Sequence, residues 1–244
     1  MPVPCMACKL ATASRSWLAM MASVGVLVFS GMAGAQTAPS AQEISQYRGL
    51  HAAVARGDIS AVLRLVQQKR KSVNARDPHG RTPLMVAGYK KDVAIATALI
   101  AAGADVNARD SQAYDLITIA AVANYVPMLK LAIASGGNTG LVTSPYDGTA
   151  LIAAAHLGHV EVVQTLIDAK APLDHVHNLR WTALIESIVL SDGGKNHVAC
   201  LKALVDAGAD VNIPDGEGVT PLTLAKRHGY TAMVKILEKA GARP

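Results

Sequence analysis

The stretch DVNIPDGEG, residues 210–218, gathers Asp210, Asn212, Asp215 and Glu217 around a glycine, the composition of a calcium loop. Such a loop needs oxygen ligands at positions 1, 3 and 5, glycine at 6 and glutamate at 12. Counted from Asp210, those last three places hold Pro214, Asp215 and Pro221, so the register fails. NARD, at 74–77 and again at 107–110, fills the equivalent places without surplus acid. The oxygens therefore read as turn residues that bond their own backbone. Histidine offers a second chemistry. His156 and His159 stand three apart, and His175 and His177 two apart on an expected extended turn. Either pair supplies two nitrogens for zinc or copper, which would need a further ligand. His175 and His177 are expected to face solvent. Cys200, with His197 one helical turn before it, has the types of a thiol nucleophile and its base. Cys5 and Cys8 form a C-x-x-C pair.

None of these grows into a catalytic constellation. The chain has no G-x-S-x-G, no H-E-x-x-H and no glycine-rich phosphate loop. It is expected to be non-enzymatic and to carry no catalytic, cofactor or metal residue. Its net charge of +5 comes from scattered basic residues rather than a clustered face, which excludes the usual nucleic-acid footprint.

The first residues have a different logic. Lys9 and Arg15 precede the apolar run WLAMMASVGVLVFSG (17–31), and Ala33-Gly34-Ala35 follows. A basic segment, a short apolar segment and an A-x-A site are the parts of a secretory signal peptide, with cleavage expected after Ala35. The run is short for a membrane span, which needs about 20 apolar residues, although a retained anchor is the alternative. No stable insertion is expected after cleavage. Cys5 and Cys8 lie ahead of the apolar run and leave with it, so Cys200 remains alone and no intrachain disulfide can form.

One Phe and two Trp are too few for one large core, whereas small aliphatic residues suit thin stacked layers. A repeat is visible at once. GADVNARD (103–110) returns as GADVNIPD (208–215), TPLM (82–85) as TPLT (220–223), and TALI occurs at both 149–152 and 182–185. Leu50, Leu84, Ile117, Leu151, Leu184 and Leu222 share one place in the pattern, with gaps of 34, 33, 34, 33 and 38 residues. Each unit carries the same instructions. A Thr caps a short apolar helix, and a Pro suits its first position. A glycine such as Gly57, Gly158 or Gly229 ends that helix. A second helix, such as VEVVQTLI (160–167), has apolar positions at helical period. It stops at Gly103, Gly136 or Gly208, where a left-handed residue is wanted. In this register Cys200 shares its place with Ile95, Met128, Val162 and Met233, and so packs as a small core hydrophobe.

A period near 33 with TPLH-like starts and GADVN-like ends resembles the ankyrin repeat. The resemblance covers residues 46–244. It implies an all-α repeat solenoid of helix-turn-helix units joined by β-hairpin-like turns. About six repeats are expected, at 46–76, 77–109, 110–143, 144–176, 177–214 and 215–244, after a short linker at 36–45. Repeat 3 departs, with Asp115 in the threonine place and Pro127 in its second helix; repeat 4 lacks the closing glycine; repeat 5 carries SDGGKNH (191–197) between its helices. The resemblance gives His51 and His159 structural roles, and it implies a concave surface of turn tips and first helices that binds a partner protein. The positions there that the fold leaves open are His79, Arg81, Tyr89, Lys90, Gln112, Tyr114, Tyr146, His156, Asn178, Trp181, Glu217 and Arg227. Tyr, Trp and Arg dominate binding hot spots. The expected function is that of a monomeric periplasmic or secreted adaptor. A link to oxidative-stress protection is implied by similarity to small exported bacterial ankyrin proteins. An inhibitor or immunity protein covering a hydrolase active site is the alternative, and a metal- or haem-handling protein using His175 and His177 is a third.

Overall fold

A computed structural model describes residues 38–68 and 73–244. The expected signal peptide therefore lies outside the described residues. A six-residue helix, α1 (Ala41–Gln46), precedes six helical hairpins: α2 (Gly49–Arg56) with α3 (Ile59–Gln68), α4 (Pro83–Tyr89) with α5 (Val93–Ala101), and α6 (Leu116–Val122) with α7 (Val126–Ala134). Then come α8 (Ala150–His156) with α9 (Val160–Asp168), α10 (Ala183–Val189) with α11 (Lys195–Asp206), and α12 (Pro221–Arg227) with α13 (Thr231–Lys239). No strand occurs among the described residues. The first helices of successive hairpins stack on one another, and so do the second helices. One continuous apolar core runs from Tyr47 to Leu237, because each hairpin buries its face only against its neighbours.

Local chemistry sets the helix ends. Thr82, Thr149, Thr182 and Thr220 each accept a hydrogen bond from the backbone N–H three residues on. Pro83 and Pro221 open their helices, and Pro127 sits harmlessly in the first turn of α7. Gly103, Gly136 and Gly208 take φ of 93°, 88° and 94° after the second helices. Where the sequence lacks that glycine, Lys170 adopts φ 62° instead. Packing on both sides enforces the turn whatever residue occupies it.

Three further places differ from expectation. The segment read as a linker contains α1, whose capping box joins Ser40 and Glu43. The extra residues of the fifth unit do not all loop out. Ser191–Gly194 form the turn, and Lys195–His197 add a first turn to α11, which is 12 residues long. In the third unit, Asp115 replaces the threonine cap. Its Oδ1 accepts from the Thr118 N–H and Thr118 hydroxyl, at 2.8 and 2.7 Å. Its Oδ2 is buried with no hydrogen-bond partner among the described residues. Burial pushes this carboxyl above its usual range, against the pull of the Thr118 hydrogen bonds.

A carboxyl raised on folding contributes stability at low pH that is lost as pH rises through its folded value. Asp115→Thr supplies the cap used at four sister positions, and its backbone (φ −111°, ψ 179°) matches that of Thr149 (φ −109°, ψ 168°). The variant is expected to melt a few degrees higher, an increment of about 1 kcal/mol. The gain should be larger at pH 8 than at pH 4. Calorimetry at both values checks this, and a lower melting temperature at pH 8 contradicts it.

Candidate functional site

The solenoid carries five turn tips, each closed in one pattern. Residues 77–81, 110–114, 177–181 and 215–219 pair the first backbone N–H with the fifth carbonyl, as in Asp77 N–H to Arg81 O at 3.0 Å. The tip at 143–148 closes from the Thr143 N–H to the Gly148 carbonyl at 2.8 Å. Inside each turn a side chain accepts the inner N–H groups. Asp77, Asp110 and Asp215 do so with Oδ1, and Ser144 with Oγ. His177 fills the same place with Nδ1, which accepts from Leu179 N–H at 3.0 Å. Neighbouring tips are joined, from Ser111 N–H to His79 O and from Asn178 N–H to Tyr146 O. Two of the four junctions between tips are tied in this way, and every tip is closed by its own hydrogen bonds.

Beneath the tips runs a second ladder. The Asn74 side chain donates to Gly103 O and accepts from Asp105 N–H, and Asn107 does the same to Gly136 and Asn138 in the next unit. Asp210 accepts from Asn212 N–H, and Asn212 from Arg243 N–H. Every polar side chain of DVNIPDGEG except Glu217 thus has a backbone partner of the kind its sister repeats have. On the far side, His159 Nδ1–H donates to Ala121 O, His197 Nε2–H to His156 O, and the Tyr230 hydroxyl to Ser191 O. His51 Nε2–H reaches Arg81 O at 3.0 Å.

This frame sorts the twelve expected binding residues. Gln112, Asn178 and Glu217 are exposed at tips, as is His79, while Lys90 and Arg227 are exposed at the ends of first helices. Tyr89, Tyr146, His156 and Trp181 are half-buried. Tyr89 lies against Met85, Ala108 and Ile119. Arg81 and Tyr114 require correction, because both are buried. Arg81 Nε donates to Asp77 Oδ2 at 2.7 Å and Nη2 to Glu43 Oε1 at 2.7 Å, so its guanidinium is covered by α1 rather than presented at the tip. Tyr114 has only 5 % of its surface exposed, and burial pushes its hydroxyl up to about 12. Both immediately precede a first-helix cap, Thr82 and Asp115.

The histidine expectation is corrected as well. His177 is buried rather than solvent-facing. Since Nδ1 accepts from the turn, its proton sits on Nε2 and is donated to Glu186 Oε1 at 2.7 Å. Glu186, 1 % exposed, lies on α10 with Oε2 3.3 Å from His156 Nδ1 on α8. The Trp181 ring meets His177 edge-on at 6.0 Å. Sequence reasoning missed Glu186 altogether, although its sister positions hold Val86, Ile119 and Ala153 and a glutamate among them is the signal. His175 points elsewhere, its Nε2–H donating to Asp147 O at 2.6 Å. Among the described residues no three His, Cys, Asp or Glu side chains are placed to hold a metal ion. Cys200 is buried, and burial pushes its thiol up to about 11, the direction opposite to an activated nucleophile.

A stack of helical hairpins whose turn tips are each closed by internal hydrogen bonds defines the class: a repeat scaffold. The chain belongs to the ankyrin repeat family, whose model of several repeat copies matches residues 22–110 and 117–215. It is 30% identical over 171 residues to the ankyrin repeat protein YahD of Escherichia coli, covering 70% of this chain and 85% of that one. An ankyrin repeat domain from Acinetobacter baumannii shares 42% identity and a TM-score of 0.76, over 80% of this chain and 98% of that one. The ankyrin repeat protein EF0377 shares 31% identity and a TM-score of 0.74, over 79% and 98%. Ankyrin repeats form protein-interaction modules, and this chain has that architecture.

Glu186 gives the site a test of its own. Glu186→Ala leaves the His177 Nε2–H buried without an acceptor and is expected to cost about 3 kcal/mol in urea unfolding. Glu186→Gln keeps an acceptor and should cost less than half as much. Equal losses for the two variants contradict the role assigned to that hydrogen bond.

Proposed function

We propose that this protein is a non-enzymatic adaptor that binds another protein along its row of tips and the exposed sides of its first helices. The observation that carries the reading is the division of labour among the tip residues. Asp77, Asp110, Ser144, His177 and Asp215 are consumed in closing the turns, whereas Gln112, Asn178 and Glu217 project from the same turns with no side-chain partner among the described residues. Between them Tyr89, Tyr146 and Trp181 present part of their rings, in a chain with few aromatics. Rigid turns that offer aromatic surface and unspent amides bind at low entropic cost. Lys90 and Arg227 border the row with positive charge.

The proposal includes its setting. The N-terminal basic and apolar segments ending in Ala33-Gly34-Ala35 support export and cleavage after Ala35, which would put the adaptor in the periplasm or outside the cell. The same resemblance supports a role in oxidative-stress protection, with the adaptor acting as a monomer.

Affinity capture from a periplasmic extract, using the mature chain 36–244 and its Trp181→Ala variant, tests the reading. The wild type is expected to retain a periplasmic protein that Trp181→Ala binds at least about tenfold more weakly, a loss in the range of a hot-spot aromatic. Thermal melts verify that the variant is folded. Unchanged affinity in a folded Trp181→Ala chain overturns the site.

A further inference from the structure

Helix α1 does not close the end of the stack in the manner of an apolar cap. None of its six residues is buried, and only Ile44 leans on the core. Besides Ile44 and a hydrogen bond from Arg48 Nη1 to the Ser45 carbonyl at 3.0 Å, its hold on the solenoid is one carboxylate. Glu43 Oε1 lies 2.7 Å from Arg81 Nη2 and 2.6 Å from His79 Nε2, both on the tip at 77–81. The other oxygen, Oε2, accepts from Ser40 N–H at 2.6 Å and so completes the capping box of α1 itself. Isolated helices shorter than about 12 residues are marginal in water. Capping and the ionic part of docking therefore share one side chain, Glu43.

The partner of that carboxylate is built independently of it. Arg81 is fixed by Asp77, whose Oδ2 takes the Arg81 Nε–H and the Tyr47 hydroxyl, each at 2.7 Å. Asp77 Oδ1 meanwhile accepts the backbone N–H of Arg81. Nη2 donates to Glu43, which covers it beside a His79 whose side chain is 60% exposed. A guanidinium held by its own acid on one edge and offered on the other is preorganised for a second carboxylate. Hydrogen bonds at Ser40, first from its backbone and then from its hydroxyl, with Arg81 third, hold Glu43 down to about 2, so it is ionised at any ordinary pH.

We propose that the tip at 77–81 is a receptor for a carboxylate side chain of an acidic partner segment, and that α1 is a displaceable strap filling it with the chain's own Glu43. This rests on the tips being the binding face and names the chemistry of one end of it. An acidic segment suits a site whose own occupant is a carboxylate held between Arg81 and His79. Such a segment meets Arg81 and His79 while residues 40–46 lift about Tyr47, which stays anchored through its buried ring and its bond to Asp77.

The strap itself provides the probe. A capped peptide of residues 38–46 is titrated into the full chain, wild type or Glu43→Gln, following the Arg81 Nε–H and His79 ring signals by NMR. A second variant, Glu43→Ala, is titrated alongside, and amide signals of the last four hairpins report that each chain is folded. Both variants are expected to bind the peptide about tenfold more tightly than the wild type, which must first release its strap. A peptide carrying Gln in place of Glu43 should leave Arg81 unmoved. Equal binding to wild type and variants, equal binding of the two peptides, or no shift at Arg81 in either variant each overturns the proposal. Capture of the partner through Trp181 is independent of all three, so the receptor can fail while the binding face stands.

Discussion

A hairpin of two short helices cannot bury its own apolar face, and everything else in this molecule answers that constraint. The first helices supply Leu84, Ile117, Leu151, Leu184 and Leu222 to one shared seam, and the second helices supply Ile95, Met128, Val162, Cys200 and Met233 to the next. Stacking removes both rows from water, at roughly 25 cal/mol for each Å² of apolar surface. The side chains must be of even size for the layers to repeat, which is why aromatic residues are nearly absent from the seam. The same demand fixes where polar groups go. Each layer places its turn at one height, so the Asn74 and Asn107 side chains meet the backbone of the following unit, and His159 and His197 that of the preceding one.

Regularity of this kind made much of the fold legible in the sequence. Thr82, Thr149, Thr182 and Thr220 announce helix starts, and Gly103, Gly136 and Gly208 announce helix ends, because each residue meets a local steric or hydrogen-bonding need. Reading stopped where the repeat imposes geometry on residues that do not prefer it. Lys91, Asn124 and Lys170 adopt positive φ at helix ends, where their backbone N–H groups close the turn onto Gly88, Ala121 and Ile167 carbonyls. His177 closes a turn that aspartate closes elsewhere, since a ring nitrogen can accept an N–H as an oxygen does. No local pattern distinguishes that histidine from a solvent-facing one.

The candidate site was legible by position more than by role. Register alone puts Gln112, Asn178 and Glu217 at tips, and each is exposed there. Register does not say whether a long side chain reaches outward or folds back. Arg81 folds back because Asp77 waits four residues before it and Glu43 arrives from a segment outside the repeat, a contact spanning 38 residues. Tyr114 is buried too. Glu186 was hidden by the opposite error, since a position that is aliphatic in sister units holds a buried carboxylate flanked by His156 and His177. Buried polar pairs of this sort are costly to break and give little net stability, and this one fixes a single arrangement of the tip at 177–181.

The central claim is that the tips and inner helices form the working face, while the second helices only carry it. Backbone hydrogen exchange of the chain with and without its captured partner tests this most directly. The account predicts slowed exchange at the tip amides within 110–114, 144–148, 177–181 and 215–219, with the second helices α5, α7, α9 and α13 unchanged. Slowed exchange confined to those second helices, with the tips unaltered, would contradict it.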